Sequence, residues 1–311
     1  MQAHQDLLVN VSHLTKKFGQ QMALDDISLS IRANEVVALL GENGAGKTTT
    51  ISHLLGQLEA DSGSVRLLGH PAGHWAAKQQ MGVMLQGAAL PDNVTVIEQL
   101  RLFASYYPDS QSLEQVLNTA LLTDLTQRKI QTLSGGQKQR LLFAMAIIGT
   151  PRLVILDEPT VGLDATARRE FWACIRALAA QGTAVLLTTH YLEEADALAD
   201  SIVVLAKGRV VAEGIPAQIK AQLGGKRVCF RSTATPTDLK TVLPHCSASR
   251  RGDYLEFYTT TPEAHLKQLF AANLVIQDLT VSGISLEDAF LQLTQQAGVV
   301  SPFPLQQEKT A

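Results

Sequence analysis

The chain has 311 residues, 46% of them hydrophobic, and carries 26 Lys plus Arg against 29 Asp plus Glu, a formal charge of -3. That length is long for one core and points to two domains. The near-neutral balance excludes a protein that coats nucleic acid. Cys174, Cys229 and Cys246 are far apart and form no CxxC pair, which argues against a disulfide framework or a zinc site. They read as buried small hydrophobes in a reducing compartment. The N-terminal residues lack the basic start and apolar run of a secretory signal. No apolar stretch reaches the roughly 18 residues needed to cross a bilayer, so a membrane role needs another chain.

In chain order, residues 7 to 32 alternate apolar and polar as strand, turn and strand, the pattern of a half-buried antiparallel sheet. EVVALL follows, a short apolar run that ends in a glycine-rich loop, and TTISHLLGQL continues with helical spacing. Residues 92 to 130 hold helical runs and no strand candidate, which suggests a small helical subdomain inserted into the first domain. QKQRLLFAMAII reads as a helix stopped near Gly149 and Pro151. LVILD and TAVLLTTH are unbroken apolar runs, suited to central parallel strands covered on both faces. SIVVLAKGRVVAEG reads as a hairpin turning at Lys207 and Gly208.

A boundary is expected at Gly224 and Gly225, giving a first domain over 1–224, a second over 225–297 and a disordered tail over 298–311. The second domain reads as strand, helix, strand, strand, helix, strand, a split βαβ or ferredoxin-like unit, closed by the helix SLEDAFLQLTQQ. On that helix Leu286, Ala289, Phe290 and Leu293 form an apolar stripe that needs a burial partner. The equivalent domain of a second chain is the favoured one.

Gly41-Glu42-Asn43-Gly44-Ala45-Gly46-Lys47-Thr48 matches GxxxxGK[ST], between a strand and a helix. Glycines let the backbone N–H groups wrap a phosphate, and the helix N-terminus adds partial positive charge. Lys47 can neutralise phosphate oxygens, the Thr48 hydroxyl can bind Mg²⁺, and Thr49 completes the loop. Asp157 and Glu158 follow the strand LVIL, where ligands collect in an open α/β sheet. Asp157 is placed to hold Mg²⁺ through water and Glu158 to orient and deprotonate an attacking water. His190 ends a further apolar strand and can donate to a γ-phosphate. Leu133-Ser134-Gly135-Gly136-Gln137 places a small polar residue and two glycines at a helix start, which is either an anion cradle or an ordinary Ser N-cap.

The order GENGAGKT, LSGGQ, LVILDEP and TTH resembles that of the ABC ATPases, over roughly residues 7 to 220. The fold this implies is α/β: a P-loop NTPase core of parallel sheet, antiparallel β subdomain and helical subdomain, followed here by a small α+β domain. The resemblance implies that Phe18 stacks on adenine and that Gln86 touches Mg²⁺ or the water and faces a membrane partner. It also implies that the segment ending in Asp164 crosses a dimer interface. Val161 stands where many members carry Ser, so no hydroxyl hydrogen bond is available there. Two such domains are expected to dimerise head to tail, so that Ser134, Gly135, Gly136 and Gln137 serve the ATP held by the partner. The chain then needs a second ATPase chain, a copy or a paralogue, and a membrane permease, and sits at the cytoplasmic face of the membrane.

The ending ISLEDAFLQLT and the segment PTVGLDA resemble exporter ATPases of the daunorubicin-resistance type. Ser285 with two acids in the first turn also makes an ordinary capped amphipathic helix. An importer ATPase is the alternative, and a soluble ABC ATPase acting on ribosomes or DNA is a further one.

Overall fold

The structure is a computed structural model that describes residues 7–222, 225–244, 246, 248–272, 274–283 and 285–296. The expected disordered tail lies outside them, as do Leu223 and Gly224 of the expected boundary. Packing divides the chain into two units between Pro216 and Ala217.

The alternating N-terminal segment forms the antiparallel pair β1 (Leu7–Phe18) and β2 (Gln21–Arg32). Its strand–helix continuation is β3 (Val36–Gly41), every residue buried, then α1 (Lys47–Leu54). Next come β4 (Ser62–Leu67), β5 (His70–Pro71), a single turn α2 (Trp75–Lys78) and β6 (Met81–Met84). β4 and β5 extend the antiparallel sheet in the order β2-β1-β4-β5. β4 escapes a hydropathy reading because only Leu67 in it is buried; its place comes from pairing with β1.

The helical region is α3 (Val96–Ala104), α4 (Leu113–Thr119) and α5 (Gly135–Ile147), with two short 3₁₀ turns between α4 and α5. Thr95 and Glu98 form a reciprocal capping box on α3. Then follow β7 (Leu153–Asp157), α6 (Ala165–Ala180), β8 (Ala184–Thr189), α7 (Leu192–Leu198) and the hairpin β9 (Ser201–Ala206) and β10 (Arg209–Gly214). Lys207 takes φ 49° and Gly208 φ 76° at its turn, the left-handed pair a two-residue hairpin requires.

The larger sheet runs β10-β9-β3-β8-β7-β6, parallel except for β10. Because parallel neighbours share a direction, the chain leaves β3, β6, β7 and β8 along one edge. The core between the two sheets includes Leu8, Val9, Leu29, Val37, Leu39, Ile155, Leu186 and Val203. Each such side chain contributes about 1.5–3 kcal/mol by leaving water.

The second unit holds most of α8 (Pro216–Gln222), then β11 (Lys226–Arg231), α9 (Pro236–Val242), β12 (Ala248–Arg251), β13 (Tyr254–Thr259), α10 (Pro262–Ala271), β14 (Gln277–Gly283) and α11 (Leu286–Gln296). Its sheet order is β12-β13-β11-β14, with every neighbour antiparallel. Val228, Phe230, Leu255 and Phe257 face a core closed by Leu239 and Leu269 of the two helices. The opposite face carries Arg227 bonded to Glu256, and Tyr258, whose hydroxyl donates to Asp288 of α11 at 2.6 Å. One expectation is corrected here. Leu286, Ala289 and Phe290 of α11 are already buried within the single chain, so their stripe does not call for a second copy.

Candidate active site

The glycine-rich loop leaves β3 at Gly41 and enters α1 at Lys47. Gly46 caps that helix at φ 111°, a conformation open to glycine and costly for other residues. A Cβ on Gly46 would also lie 2.7 Å from Leu24 Cδ2 and 3.0 Å from the Ala23 carbonyl. Gly208 sits against the same strand. Its N–H donates to the Ala45 carbonyl at 3.0 Å, its own carbonyl accepts from Asp25 N–H at 2.7 Å, and a Cβ there would come within 2.6 Å of Ala23 O. Strand β2, the loop and the β9–β10 turn therefore meet at one point. No acidic residue occupies the first turn of α1, so its positive end is left for an external anion.

A cleft of about 280 Å³ opens on this loop. Of the residues singled out from sequence, Phe18, Glu42, Asn43, Gly44, Gly46, Lys47, Thr48, Thr49, Gln86, Asp157 and Glu158 line it. Gln21, Met22 and Ala23 of β2 line it too, and no motif in the sequence marks them. Phe18 is 50% exposed at the end of β1, with its ring free to meet a flat partner and Lys16 Nζ 5.8 Å from the ring centre. Gln86 stands in the turn after β6 and is exposed.

At the base of the cleft Lys47 and Glu158 are each only 7% exposed. The Lys47 ammonium donates to the Gly41 carbonyl at 2.7 Å and lies 3.6 Å from Glu158 Oε1. His190 Nδ1 is 2.5 Å from Glu158 Oε2. One carboxylate thus spans the loop lysine and the histidine after β8, so Lys47 and Glu158 offset each other's buried charge. Thr188 organises the two acids: its hydroxyl donates to Asp157 Oδ1 at 2.6 Å and accepts from Glu158 N–H at 3.1 Å. Sequence reasoning passed over Thr188, although TTH at a strand end was its signal. Glu158 itself takes φ 52°, uncommon for a non-glycine residue and frequent at functional positions.

Gly41 and Ala45 are buried in the wall behind the loop, and His190 reaches the site through Glu158. The remaining candidates stand apart from the cleft lining. Ser134 caps α5: its hydroxyl accepts from Gln137 N–H at 3.2 Å, while Gln137 Oε1 accepts from Ser134 N–H at 3.0 Å. The Ser N-cap reading holds as geometry, and the N–H groups of Gly135 and Gly136 begin the helix beside it. Asp164 caps α6 by accepting from Ala167 N–H at 2.8 Å. His53, to which sequence assigns no role, is a core side chain: burial pushes its imidazole down toward the neutral form.

Comparison with known proteins gives this geometry a family. A model described as ABC transporter matches residues 24–161. Nod factor export ATP-binding protein I of Burkholderia lata is 35% identical over 300 residues, spanning 92% of this chain and 96% of that protein. The protein of that name from Mesorhizobium japonicum is 37% identical over 296 residues, spanning 92% and 86%. The chain belongs to the ABC transporter family, as an ATP-binding subunit. The solved structure of an ATP-binding subunit of an ABC transporter superposes with a TM-score of 0.64 at 32% identity, covering 70% of this chain and 93% of that one. The Clostridium perfringens protein cbiO1, part of an ABC transporter complex, gives 0.63 at 25% identity, covering 70% and 92%. The activity of an ABC ATP-binding subunit is ATP hydrolysis coupled to transport, and such subunits dimerise and work with membrane permeases. Among the described residues no helix is long and apolar enough to cross a membrane.

Proposed function

We propose that this chain powers export through a separate permease at the cytoplasmic face of the membrane, hydrolysing ATP at Glu158 within a dimer of two such chains. The observation that carries the catalytic part is the position of Glu158, buried in the cleft between Lys47 and His190. The directional part is supported by relatives aligned over nearly the whole chain and named for export. The narrower daunorubicin-resistance likeness rests on SLEDAFLQLT and PTVGLDA alone.

Phosphoryl transfer needs positioning and charge neutralisation more than covalent chemistry. Phe18 offers its exposed ring to the adenine, and the loop N–H groups with Lys47 hold the phosphates. Thr48, Gln86 and Asp157 are oxygen donors on one cleft, a set that fits Mg²⁺, which takes few protein ligands besides phosphates and water. Held by Thr48, Gln86 and Asp157, the ion would supply charge neutralisation for the phosphoryl group. Glu158 accepts the proton of the attacking water. His190 orients that carboxylate at one oxygen while Lys47 faces the other, and Thr188 fixes the peptide that carries it. Ser134, Gly135, Gly136 and Gln137 lie off this cleft, which supports their use on the ATP of a partner chain, with Asp164 at the crossing.

The test is isolation of the tagged full-length chain from solubilised membranes. A polytopic membrane protein should come with it, and the reconstituted pair should hydrolyse ATP without a soluble binding protein. Dependence on a binding protein would instead make it an importer, and recovery with ribosomes would remove the transport reading.

A further inference from the structure

Behind the site lies a carboxyl group that the mechanism above does not use. Glu194, in the first turn of α7, is wholly buried. Its Oε1 accepts a hydrogen bond from Trp172 Nε1–H of α6 at 3.0 Å. The Thr189 hydroxyl bonds to the same carboxyl, and the Thr160 side chain faces it. Thr189 adjoins His190; its oxygen already accepts from Tyr191 N–H at 2.9 Å, so its own hydrogen is available to Glu194. Thr160 lies two residues beyond Glu158, and its carbonyl accepts from Leu163 N–H at 3.2 Å, shaping the turn that leads to Asp164.

Two polar atoms here are buried without a hydrogen-bond partner of good geometry, Glu194 Oε2 and Thr160 Oγ1. A lone buried orphan is destabilising, and a single hydrogen bond between the Glu194 carboxyl and the Thr160 hydroxyl would satisfy both. Burial raises the Glu194 carboxyl above its ordinary value and the nearby charge of Glu158 pushes the same way, against the hydrogen bonds from Thr189, Thr160 and Trp172. A parallel link joins α6 to the turn that carries His190: the Arg168 guanidinium stacks 4.3 Å over the Tyr191 ring, which itself rests 4.2 Å from the His190 ring.

We infer that Glu194 is a positioning residue for hydrolysis, its buried carboxyl bonding together the turn that carries His190 and the segment running from Glu158 to Asp164. The two segments hold the pair whose 2.5 Å contact sets the orientation of the base. They also lead to the part of the chain assigned to the dimer crossing. The inference rests on Glu158 acting as base.

The test uses the full-length chain and three variants, with Mg²⁺-dependent ATPase kinetics and separate equilibrium binding of ATP. Glu194→Gln keeps a donor and an acceptor in the same volume, so kcat should stay within about twofold. Glu194→Ala should lower kcat about tenfold or more with ATP affinity unchanged, the cost of one or two buried hydrogen bonds felt in the transition state. Thr160→Val, which removes only the hydroxyl, should lower kcat in the same direction, and it decides the matter if the alanine variant does not fold. Unchanged kcat in Thr160→Val, or Glu194→Gln falling as far as Glu194→Ala, overturns the inference. Normal turnover in a Glu158→Gln control would overturn instead the reading on which it rests.

Discussion

The two units of this chain treat buried polar groups in opposite ways. In the first, Lys47, Asp157 and Glu158 arrive from two separate strand ends to line an open cleft, and His190 joins them from a third strand end through Glu158. In the second, Arg227 pairs with Glu256 and Tyr258 with Asp288 across one covered sheet face, each group consumed by its neighbour. Strand direction explains the contrast. A parallel sheet delivers successive loops to one edge, where unlike side chains can converge on a ligand. An antiparallel sheet sends alternate loops to opposite edges, and its polar residues meet across strands instead. Convergence of this kind is what chemistry needs, and cross-strand pairing is what a scaffold needs.

That contrast can be broken most sharply at Glu158. Glu158→Gln should lower ATPase turnover by about 10²- to 10⁴-fold, the usual worth of a general base, while ATP binding by calorimetry persists. Lys47→Ala should instead lose the binding itself, by about tenfold or more, since hydrogen bonds to a charged group are worth about 1.5–3 kcal/mol. Ser134→Arg tests the proposed use of Ser134 on the ATP of a partner chain. A single chain should still bind ATP, nucleotide-dependent dimerisation by light scattering should fail, and mixing with the Lys47→Ala chain should restore part of the turnover.

Changes in the second unit should leave the cleft alone. Phe290→Ala removes a buried ring of α11 and should cost about 3–5 kcal/mol locally, read as an earlier melting transition with unaltered ATP affinity. A loss of affinity in that variant would mean the units do not divide their labour. The smallest effect concerns alkali. Burial, then the hydrogen bond to Asp288, raise the Tyr258 hydroxyl above its ordinary value. Its contribution is fully present below about pH 10, the unfolded value, and is lost as pH rises further, because only the unfolded chain then releases the proton freely. Tyr258→Phe should flatten that alkaline loss in a denaturation series.

How much of this was legible beforehand follows from where the physics is local. Gly41 to Thr48 carry loop, helix start and lysine within eight consecutive positions, so the phosphate loop is readable at sight. LVILDE is equally local, a buried strand ending in two acids. The hairpins at Gly19 and Gly208 and the strands from Lys226 onward announce themselves by alternation and turn residues. β4 did not, because an exposed Ser- and Gly-containing strand has no hydropathy signature and exists through β1. Gln21, Met22 and Ala23 join the cleft only because β2 curls beside the loop. Glu194 looks like any acid in a helical first turn, and nothing local reveals that Trp172, Thr160 and Thr189 gather around it. The stripe on α11 was visible but its partner was not, since periodicity shows that a face is buried and never against what.

The meeting point at Gly208 has a consequence for how the protein is made. The loop that begins at Gly41 leans on a turn supplied near the end of the ATPase unit. Contacts this distant in sequence close late, because the entropy of a long intervening loop is lost before they form. During synthesis the phosphate-binding motif leaves the ribosome early, yet its final contact waits for the β9–β10 hairpin. A nascent chain halted before Lys207 should therefore carry every residue of the motif and still lack a well-formed nucleotide site.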